Sequence, residues 1–120
     1  RVIRNLVVNA IEHADGTDVT IQVASTDTDV ACRVRDRGVG MTQEVADHVF
    51  DRFYRADTAR ARTTGGTGLG LAIATEDVAI HGGRLQAYGE PGKGASFLMT
   101  LPKHPGDEIA TWPLALWEDE

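Results

Sequence analysis

Apolar residues change their spacing along this 120-residue chain, and the change limits the folds that it can adopt. Over residues 1–14 they recur every three or four positions, which is the period of an amphipathic helix. Over residues 19–34 they alternate with polar residues, which is the period of half-buried strands. Residues 69–80 return to the helical period and residues 84–101 to the strand period. These changes predict helices packed against hairpins.

The first helix, predicted over Arg1–Ala14, has one apolar and one polar side. Its apolar stripe consists of Ile3, Leu6, Val7, Ala10, Ile11 and Ala14. Asn5, Asn9 and Glu12 lie on the opposite side, within about 60° of one another. Asparagine is a poor choice for a solvated helix surface because its helix propensity is mediocre. Two asparagines one turn apart therefore indicate a ligand-binding surface.

A hairpin with one buried face and a short helix are predicted next. The apolar residues expected on the buried face of the hairpin are Val19, Ile21, Val23, Val30, Cys32 and Val34. The second strand runs directly into DRGVG at residues 36–40, and Thr42 then fits the N-cap of the short helix. Residues 51–67 lack apolar periodicity, which is typical of a functional lid or a disordered loop.

The glycines of TTGGTGLGLAIA, residues 63–74, come at the end of this irregular stretch. The run lacks the Lys that completes a Walker phosphate loop, and the dinucleotide fingerprint would need glycine at Leu71. The elements predicted after it are a helix over Leu69–Ile80, strands over Arg84–Tyr88 and Ser96–Leu101, and a turn at residues 91–94.

Length and composition exclude several classes of protein. A chain of 120 residues is one small domain. Its net charge of −6 argues against general nucleic-acid binding, which needs a basic surface. The single cysteine, Cys32, cannot form an internal disulfide, and a reducing environment is expected. The four histidines lack the spacing of metal ligands, and no apolar run approaches the length of a membrane span.

Five segments, in order along the chain, resemble the ATP-binding catalytic domain of sensor histidine kinases. They are NLVVNAIEHA, DRGVG, FDRFYRAD, GGTGLGLAIA and HGG…GKGASF, which match the N, G1, F, G2 and G3 boxes of that family. The wider superfamily includes gyrase, heat-shock protein 90 and mismatch-repair ATPases. The segments extend from Asn5 to Leu101, and their order makes the signature specific.

The resemblance implies an α/β (α+β) two-layer sandwich, in which a mixed, mostly antiparallel sheet has about three helices on one face and a long ATP lid. It implies a catalytic domain over residues 1–102, without a strand that the family usually has upstream, and a C-terminal tail over residues 103–120. Because the tail contains Trp112 and Trp117, we expect it to dock on this domain or on a partner, with disorder as the alternative.

The resemblance also implies binding of ATP and Mg²⁺. The Asp36 carboxylate, which only accepts hydrogen bonds, would accept one from the adenine amine, where guanine presents a carbonyl oxygen. Gly38 and Gly40 would let the backbone pass close to the base. Asn9, implied to be both catalytic and metal-binding, would bind Mg²⁺ through an amide oxygen that adds no charge beside the triphosphate.

Further residues match the nucleotide site of the family. Asn5 would lie on the phosphate side, and His13 against the nucleotide. Arg55, the second catalytic residue, would reach the terminal phosphates with its planar guanidinium. Phe50 and Phe53 would anchor the lid to the core. The cofactor-binding positions implied in the G2 box are Gly66, Thr67, Gly68, Leu69 and Gly70.

Two positions depart from the family pattern. Glu12 stands where Lys or Arg is usual, and its carboxylate would repel a triphosphate unless it turns away or pairs with an arginine. Ala95 replaces a common hydroxyl residue.

The hydrolysing members of the superfamily carry Glu at the position of Asn5. Because Asn cannot act as a general base, we expect phosphotransfer here and not efficient hydrolysis.

None of the histidines lies in a phosphoacceptor motif of the type H-[ED]-x-x-x-P. The resemblance therefore implies transfer to a histidine on the dimerisation domain of the same kinase, with a response regulator downstream and no nucleic acid. The isolated domain is expected to be a cytoplasmic monomer, and its parent a homodimer in the cell membrane. The alternatives are a catalytically weak nucleotide-binding regulatory module, an anti-sigma-like serine kinase and, against the reasoning from Asn5, an ATPase.

Overall fold

A computed structural model describes residues 2–14, 16–51 and 70–117, except for the side chains of residues 13 and 70. The elements in chain order are α1 (Val2–Ala14), β1 (Val19–Ser25), β2 (Asp29–Asp36), α2 (Gln43–His48), α3 (Gly70–Ile80), β3 (Arg84–Glu90) and β4 (Gly94–Pro102). The predicted order of helices and strands is confirmed. Within the described ranges, no helix combines the length and the apolar character that crossing a bilayer requires.

The four strands form one sheet in the order β1-β2-β4-β3, and each neighbouring pair is antiparallel. β2 and β4 are the central pair, with Asp29 opposite Pro102 at one end and Asp36 opposite Ala95 at the other. The described helices cover one face of this sheet. The mostly antiparallel α+β fold is therefore confirmed, whereas most of the predicted lid, at residues 52–67, lies outside the described residues.

The core lies between the helices and one face of the sheet. Its buried cluster consists of Leu6, Ala10, Cys32, Val34, Val78, Ala95, Phe97 and Met99. Alternate residues of each central strand contribute to it, as the strand period requires. Cys32 is a small apolar member of this core, and burial raises the pKa of its thiol.

The ends of α2 and α3 follow the predicted capping rules. Thr42 Oγ1 accepts a hydrogen bond from the Val45 amide at 3.3 Å, which confirms the N-cap of α2. At the end of α3, the Gly83 amide donates to the Val78 carbonyl and the Gly82 amide to the Ala79 carbonyl. This is a Schellman motif, and Gly82 supplies its left-handed residue with φ of +75°.

The predicted apolar stripe of α1 is wrong at two positions. Leu6, Ala10 and Ala14 are buried, but Ile3 and Ile11 are exposed. The helix meets the sheet through a narrow face with a four-residue spacing. Ile11 points about 100° away from Ala10 and lies outside that face.

The buried face predicted for the first hairpin is also wrong on β1. Ile21 and Val23 pair with Val34 and Cys32, so their side chains point toward the helical side of the sheet. Both are nevertheless exposed, because β1 is an edge strand and α1 covers β2 more fully than β1.

Residues 103–117 form a segment that we call the docked tail, and its residues 110–117 contact the other face of the sheet. Arg33 Nη1 donates to the Ala115 carbonyl at 2.7 Å, and Ser96 Oγ donates to the Leu116 carbonyl at 2.6 Å. β4 was expected to be half-buried, but its polar face is buried too because the tail lies on it. The expectation that the tail docks on this domain is confirmed, and the boundary at residue 102 stays a prediction.

Asp29 fixes the beginning of this contact. Its buried carboxylate accepts hydrogen bonds from the amides of Ala110 and Thr111 and from the hydroxyls of Thr111 and Thr28. Burial alone raises the pKa of Asp29, but these hydrogen bonds outweigh it and hold the pKa below its ordinary value. Asp29 is therefore a charged anchor for the tail at neutral pH.

Leu6→Ala and Ile11→Ala test which side of α1 carries the stability. Leu6 is 0% exposed and its truncation leaves a cavity, so we expect a loss of about 2–5 kcal/mol in the free energy of unfolding. Ile11 is 60% exposed, and its truncation should change this free energy by less than about 0.5 kcal/mol. Urea denaturation of both variants measures the difference, and equal losses would contradict the described packing.

Candidate functional site

The end of β2 holds a buried carboxylate that is only half satisfied. Asp36 is 1% exposed, and its Oδ1 accepts a hydrogen bond from the Gly38 amide at 2.9 Å. Its Oδ2 is buried and has no hydrogen-bond partner among the described residues. A buried acceptor without a partner costs free energy, so native proteins rarely keep one without a reason. This oxygen is suited to accept a hydrogen bond from a ligand N–H or O–H group.

The loop after Asp36 is held by the turn between β3 and β4. The Gly92 amide donates to the Val39 carbonyl at 2.9 Å. Gly40 has φ of +75°, and a Cβ there would collide with the Glu90 carbonyl. Gly94 has φ of +97°, and a Cβ there would collide with the Asp36 carbonyl. Two backbone segments thus lie against each other through glycines.

This contact gives a physical reason for Gly40 that sequence reasoning missed. The predicted reason was a close approach of the backbone to the adenine base. The structure shows a close approach to the backbone of the β3–β4 turn, at Glu90, and the approach to the base stays a prediction. Glycine spacing alone signals a tight approach but does not name the segment that is approached. The Gly38 amide donates to Asp36, and its predicted approach to the base also stays a prediction.

The asparagines of α1 lie beside the core without belonging to it. Asn5 and Asn9 are partly exposed, one turn apart, next to the buried residues Leu6 and Ala10. The helix ends at Ala14, and the chain then enters β1, whose first residue pairs with Asp36. The carboxyl end of the asparagine-bearing helix is therefore joined by a short connection to the strand that flanks Asp36. Glu12 is partly exposed on the same helix.

Several predicted site residues cannot be placed from the described part of the chain. The residues outside it are Phe53, Arg55, Gly66, Thr67, Gly68 and Leu69. The backbone of His13 lies in α1, and Gly70 is the first residue of α3, but their side-chain surroundings are outside the description. Phe50, at the start of the predicted lid, packs edge-to-face on Phe97 with ring centroids 6.1 Å apart, as an anchor should.

Ala95, one of the two departures from the family pattern, lies directly opposite Asp36 in the β2–β4 pair. It is buried in the core cluster together with Phe97. Its small apolar side chain suits that buried position.

Comparison with protein families places the chain. Residues 1–105 match the model described as "Histidine kinase-, DNA gyrase B-, and HSP90-like ATPase". The chain belongs to this family.

Individual relatives agree with this assignment. The sensor histidine kinase MtrB of Mycobacterium tuberculosis is 50% identical over 116 residues, which are 97% of this chain and 20% of MtrB. The chain thus spans about a fifth of the length of this curated relative. The structure of full-length ShkA in complex with AMPPNP superposes with a TM-score of 0.72 at 29% identity, over 84% of this chain and 20% of that one. The structure of the mycobacterial sensor histidine kinase MprB superposes with a TM-score of 0.72 at 27% identity. The superposition covers 87% of this chain and 69% of the MprB chain.

Comparing Gly40→Ala with Gly92→Ala distinguishes the steric cost of the contact with Glu90 from the cost of a left-handed backbone conformation. Both glycines have positive φ, so each alanine should cost about 1–2 kcal/mol for its left-handed conformation. A methyl group on Gly92 would meet open space, whereas one on Gly40 would meet the Glu90 carbonyl. We therefore expect Gly40→Ala to lose about 2 kcal/mol more than Gly92→Ala in denaturant unfolding. Equal losses would refute the close contact.

Proposed function

We propose that this chain is the ATP-binding catalytic domain of a sensor histidine kinase. The observation that carries the proposal is the buried Asp36 Oδ2, which lacks a hydrogen-bond partner among the described residues. The domain that contains it belongs to an ATPase family. The structure of ShkA with AMPPNP, an ATP analogue, supports the same ligand class, since that protein shares the fold at 29% identity.

Asp36 selects adenine by the direction of its hydrogen bond. A carboxylate accepts hydrogen bonds and offers none, so it suits the exocyclic amine of adenine. Guanine presents a carbonyl oxygen at the same ring position and would be repelled. Because Asp36 is buried, little water competes for its free oxygen, and the penalty for the wrong base is large. Gly38 supports this role by donating to the other oxygen, which fixes the carboxylate.

Mg²⁺ is proposed to arrive with the triphosphate and to be held in part by Asn9. Among the described residues, no three His, Cys, Asp or Glu side chains are grouped as a metal site would require. Mg²⁺ suits such a surface, because it keeps most of its waters and binds mainly to substrate phosphates. Asn9 is partly exposed on α1 and offers one neutral amide oxygen. Bound Mg²⁺ would supply neutralisation of phosphate charge.

The remaining phosphate contacts stay predictions of the family resemblance. The resemblance assigns Asn5 and His13 to the nucleotide side of α1. It also assigns Gly70 to the phosphates at the beginning of α3, where backbone amides favour anions. It further assigns Arg55, Phe53 and the other G2-box residues, which lie outside the described residues.

The γ-phosphoryl group is proposed to pass to a histidine outside this chain, on the dimerisation domain of the parent kinase. Its bond to the ADP oxygen breaks, a bond to an imidazole nitrogen forms, and ADP leaves. Two of the described histidines, His48 and His81, form hydrogen bonds with nearby residues of the chain. His48 bonds to the Asp51 carboxylate at 2.9 Å, which raises the pKa of His48, and His81 Nδ1 bonds to the Asp77 carbonyl at 2.8 Å.

The parent protein is proposed to be a homodimer in the cell membrane that passes the phosphoryl group to a response regulator. This domain would be its cytoplasmic, monomeric part. The support is the 50% identity to the sensor histidine kinase MtrB, of which the chain matches 20%.

A nucleotide-binding regulatory module is the second candidate function, and Glu12 favours it. This partly exposed carboxylate lies three residues after Asn9 on α1. It would repel a triphosphate bound beside that helix and weaken transfer more than adenine recognition.

Asp36→Asn tests adenine recognition. The amide can turn its donor group toward the adenine amine, and it carries no charge, so we expect the dissociation constant of ATP to rise about 10- to 100-fold. Isothermal titration calorimetry measures it, with exposed Asp27→Asn as the charge-matched control that should bind normally. ATP binding that is equally tight in Asp36→Asn would contradict the assignment.

Asn9→Ala tests phosphotransfer in the intact parent kinase supplied with Mg²⁺ and ATP. The unaltered kinase should form an acid-labile phosphohistidine, and Asn9→Ala should reduce its formation by about a hundredfold, because the metal loses a ligand. Val8→Ala, at an exposed neighbouring position, is the control and should keep activity. An acid-stable phosphoprotein would point to a serine kinase. ATP binding without transfer would favour the regulatory module.

A further inference from the structure

The docked tail extends along β2 toward the candidate nucleotide site. Thr111 contacts Asp29 at the beginning of the strand, and the Ala115 carbonyl contacts Arg33 further along. Trp117 reaches Arg35, the residue before Asp36. The tail therefore spans the outer face of the sheet and brings an aromatic ring to the end of β2 where Asp36 lies on the opposite face.

Trp117 is held between two side chains of the sheet. The guanidinium carbon of Arg35 lies 3.8 Å from the centroid of the Trp117 ring, which is a cation–π contact. The Tyr88 ring meets the same indole edge-to-face, with centroids 5.0 Å apart. Tyr88 and Arg35 both flank Ser96 on the outer face, and Ser96 Oγ donates to the Leu116 carbonyl. Arg35 of β2, Tyr88 of β3 and Ser96 of β4 thus form the docking site of Trp117, which we call its seat.

Arg35 connects this seat to the β3–β4 turn. Its Nη2 donates to the Lys93 carbonyl at 3.4 Å. The Lys93 amide in turn donates to the Glu90 carbonyl at 2.9 Å, and the neighbouring Gly92 amide donates to Val39. β4 begins directly after this turn at Gly94, whose backbone lies against the Asp36 carbonyl. The ring of Trp117 is therefore linked through one side chain to the turn that fixes the loop after Asp36.

We propose that Trp117 is a positioning residue for the nucleotide site, acting through Arg35 and the β3–β4 turn. With the indole in place, the guanidinium stays over the ring and keeps its hydrogen bond to Lys93. The turn then holds the Asp36 loop in its binding geometry before nucleotide arrives. Preordering of this kind strengthens binding because less ordering remains to be done. The inference rests on the proposed function, since it assumes that Asp36 binds the adenine of ATP.

The test compares three variants of the full chain. Trp117→Ala removes the ring, Trp117→Phe keeps an aromatic face for Arg35, and Trp112→Ala removes the other tryptophan of the tail, which is 52% exposed. Two measurements are made on each: amide hydrogen exchange by NMR without nucleotide, and the dissociation constant of ATP by calorimetry.

In Trp117→Ala, exchange of the Gly92 and Lys93 amides should quicken relative to that of Val34 in the central strand. The dissociation constant of ATP should rise about three- to tenfold, the range that loss of one cation–π contact gives. Trp117→Phe should bring the exchange rates at Gly92 and Lys93 and the dissociation constant of ATP most of the way back to those of the unaltered chain. Trp112→Ala should change neither the exchange rates nor the dissociation constant. A merely structural role would quicken exchange at Val34 as well, because the whole domain would open more often.

Unchanged exchange at Gly92 and Lys93 in Trp117→Ala would overturn the link through Arg35. Faster exchange there with unaltered ATP affinity would overturn the positioning role. If the unaltered chain failed to bind ATP, the proposed function and the positioning role would fall together. That outcome is recognised without any variant, so it is distinct from the other two.

Discussion

The antiparallel pairing of β2 with β4 is the constraint on which the rest of the structure depends. It brings Asp36 opposite Ala95 and Asp29 opposite Pro102, so that the two acidic residues mark opposite ends of one buried strand. The inner face of the pair forms the core with α1 and α3, and the outer face receives the docked tail. A slip of one residue would exchange these faces and place Asp36 on the wrong side of the sheet.

In the proposed function, ATP recognition depends on a carboxylate that folding leaves incompletely satisfied. Asp36 is buried with one oxygen bonded to Gly38 and the other without a partner among the described residues. Burying that oxygen without a partner costs free energy, and a hydrogen-bond donor of the proposed ligand would offset this cost. By contrast, Asp29 is buried with several donors and fixes the tail. The two buried carboxylates differ in their hydrogen-bond partners, and we propose different functions for them on that ground.

The sequence predicted local features well, but it predicted poorly which residues are buried by contacts between distant parts of the chain. The helix and strand periods, the Thr42 cap and the position of Asp36 at a strand end depend on neighbours in the chain, and the structure confirms them. The burial of Ile11 was predicted wrongly because only a narrow face of α1 meets the sheet, and that of Ile21 because α1 does not fully cover the edge strand β1. The contact of Gly40 with Glu90 was missed, since it joins residues far apart in the chain. The tail residues indicated docking without identifying the surface.

The most direct test removes the adenine amine from the ligand instead of the carboxylate from the protein. Purine riboside triphosphate lacks only that amine, and its affinity can be compared with that of ATP by calorimetry for the unaltered chain and for Asp36→Asn. We expect the unaltered chain to bind the analogue about 10- to 100-fold more weakly than ATP, and Asp36→Asn to distinguish the two ligands far less. Equal binding of both ligands by the unaltered chain would contradict the assignment of Asp36 to adenine.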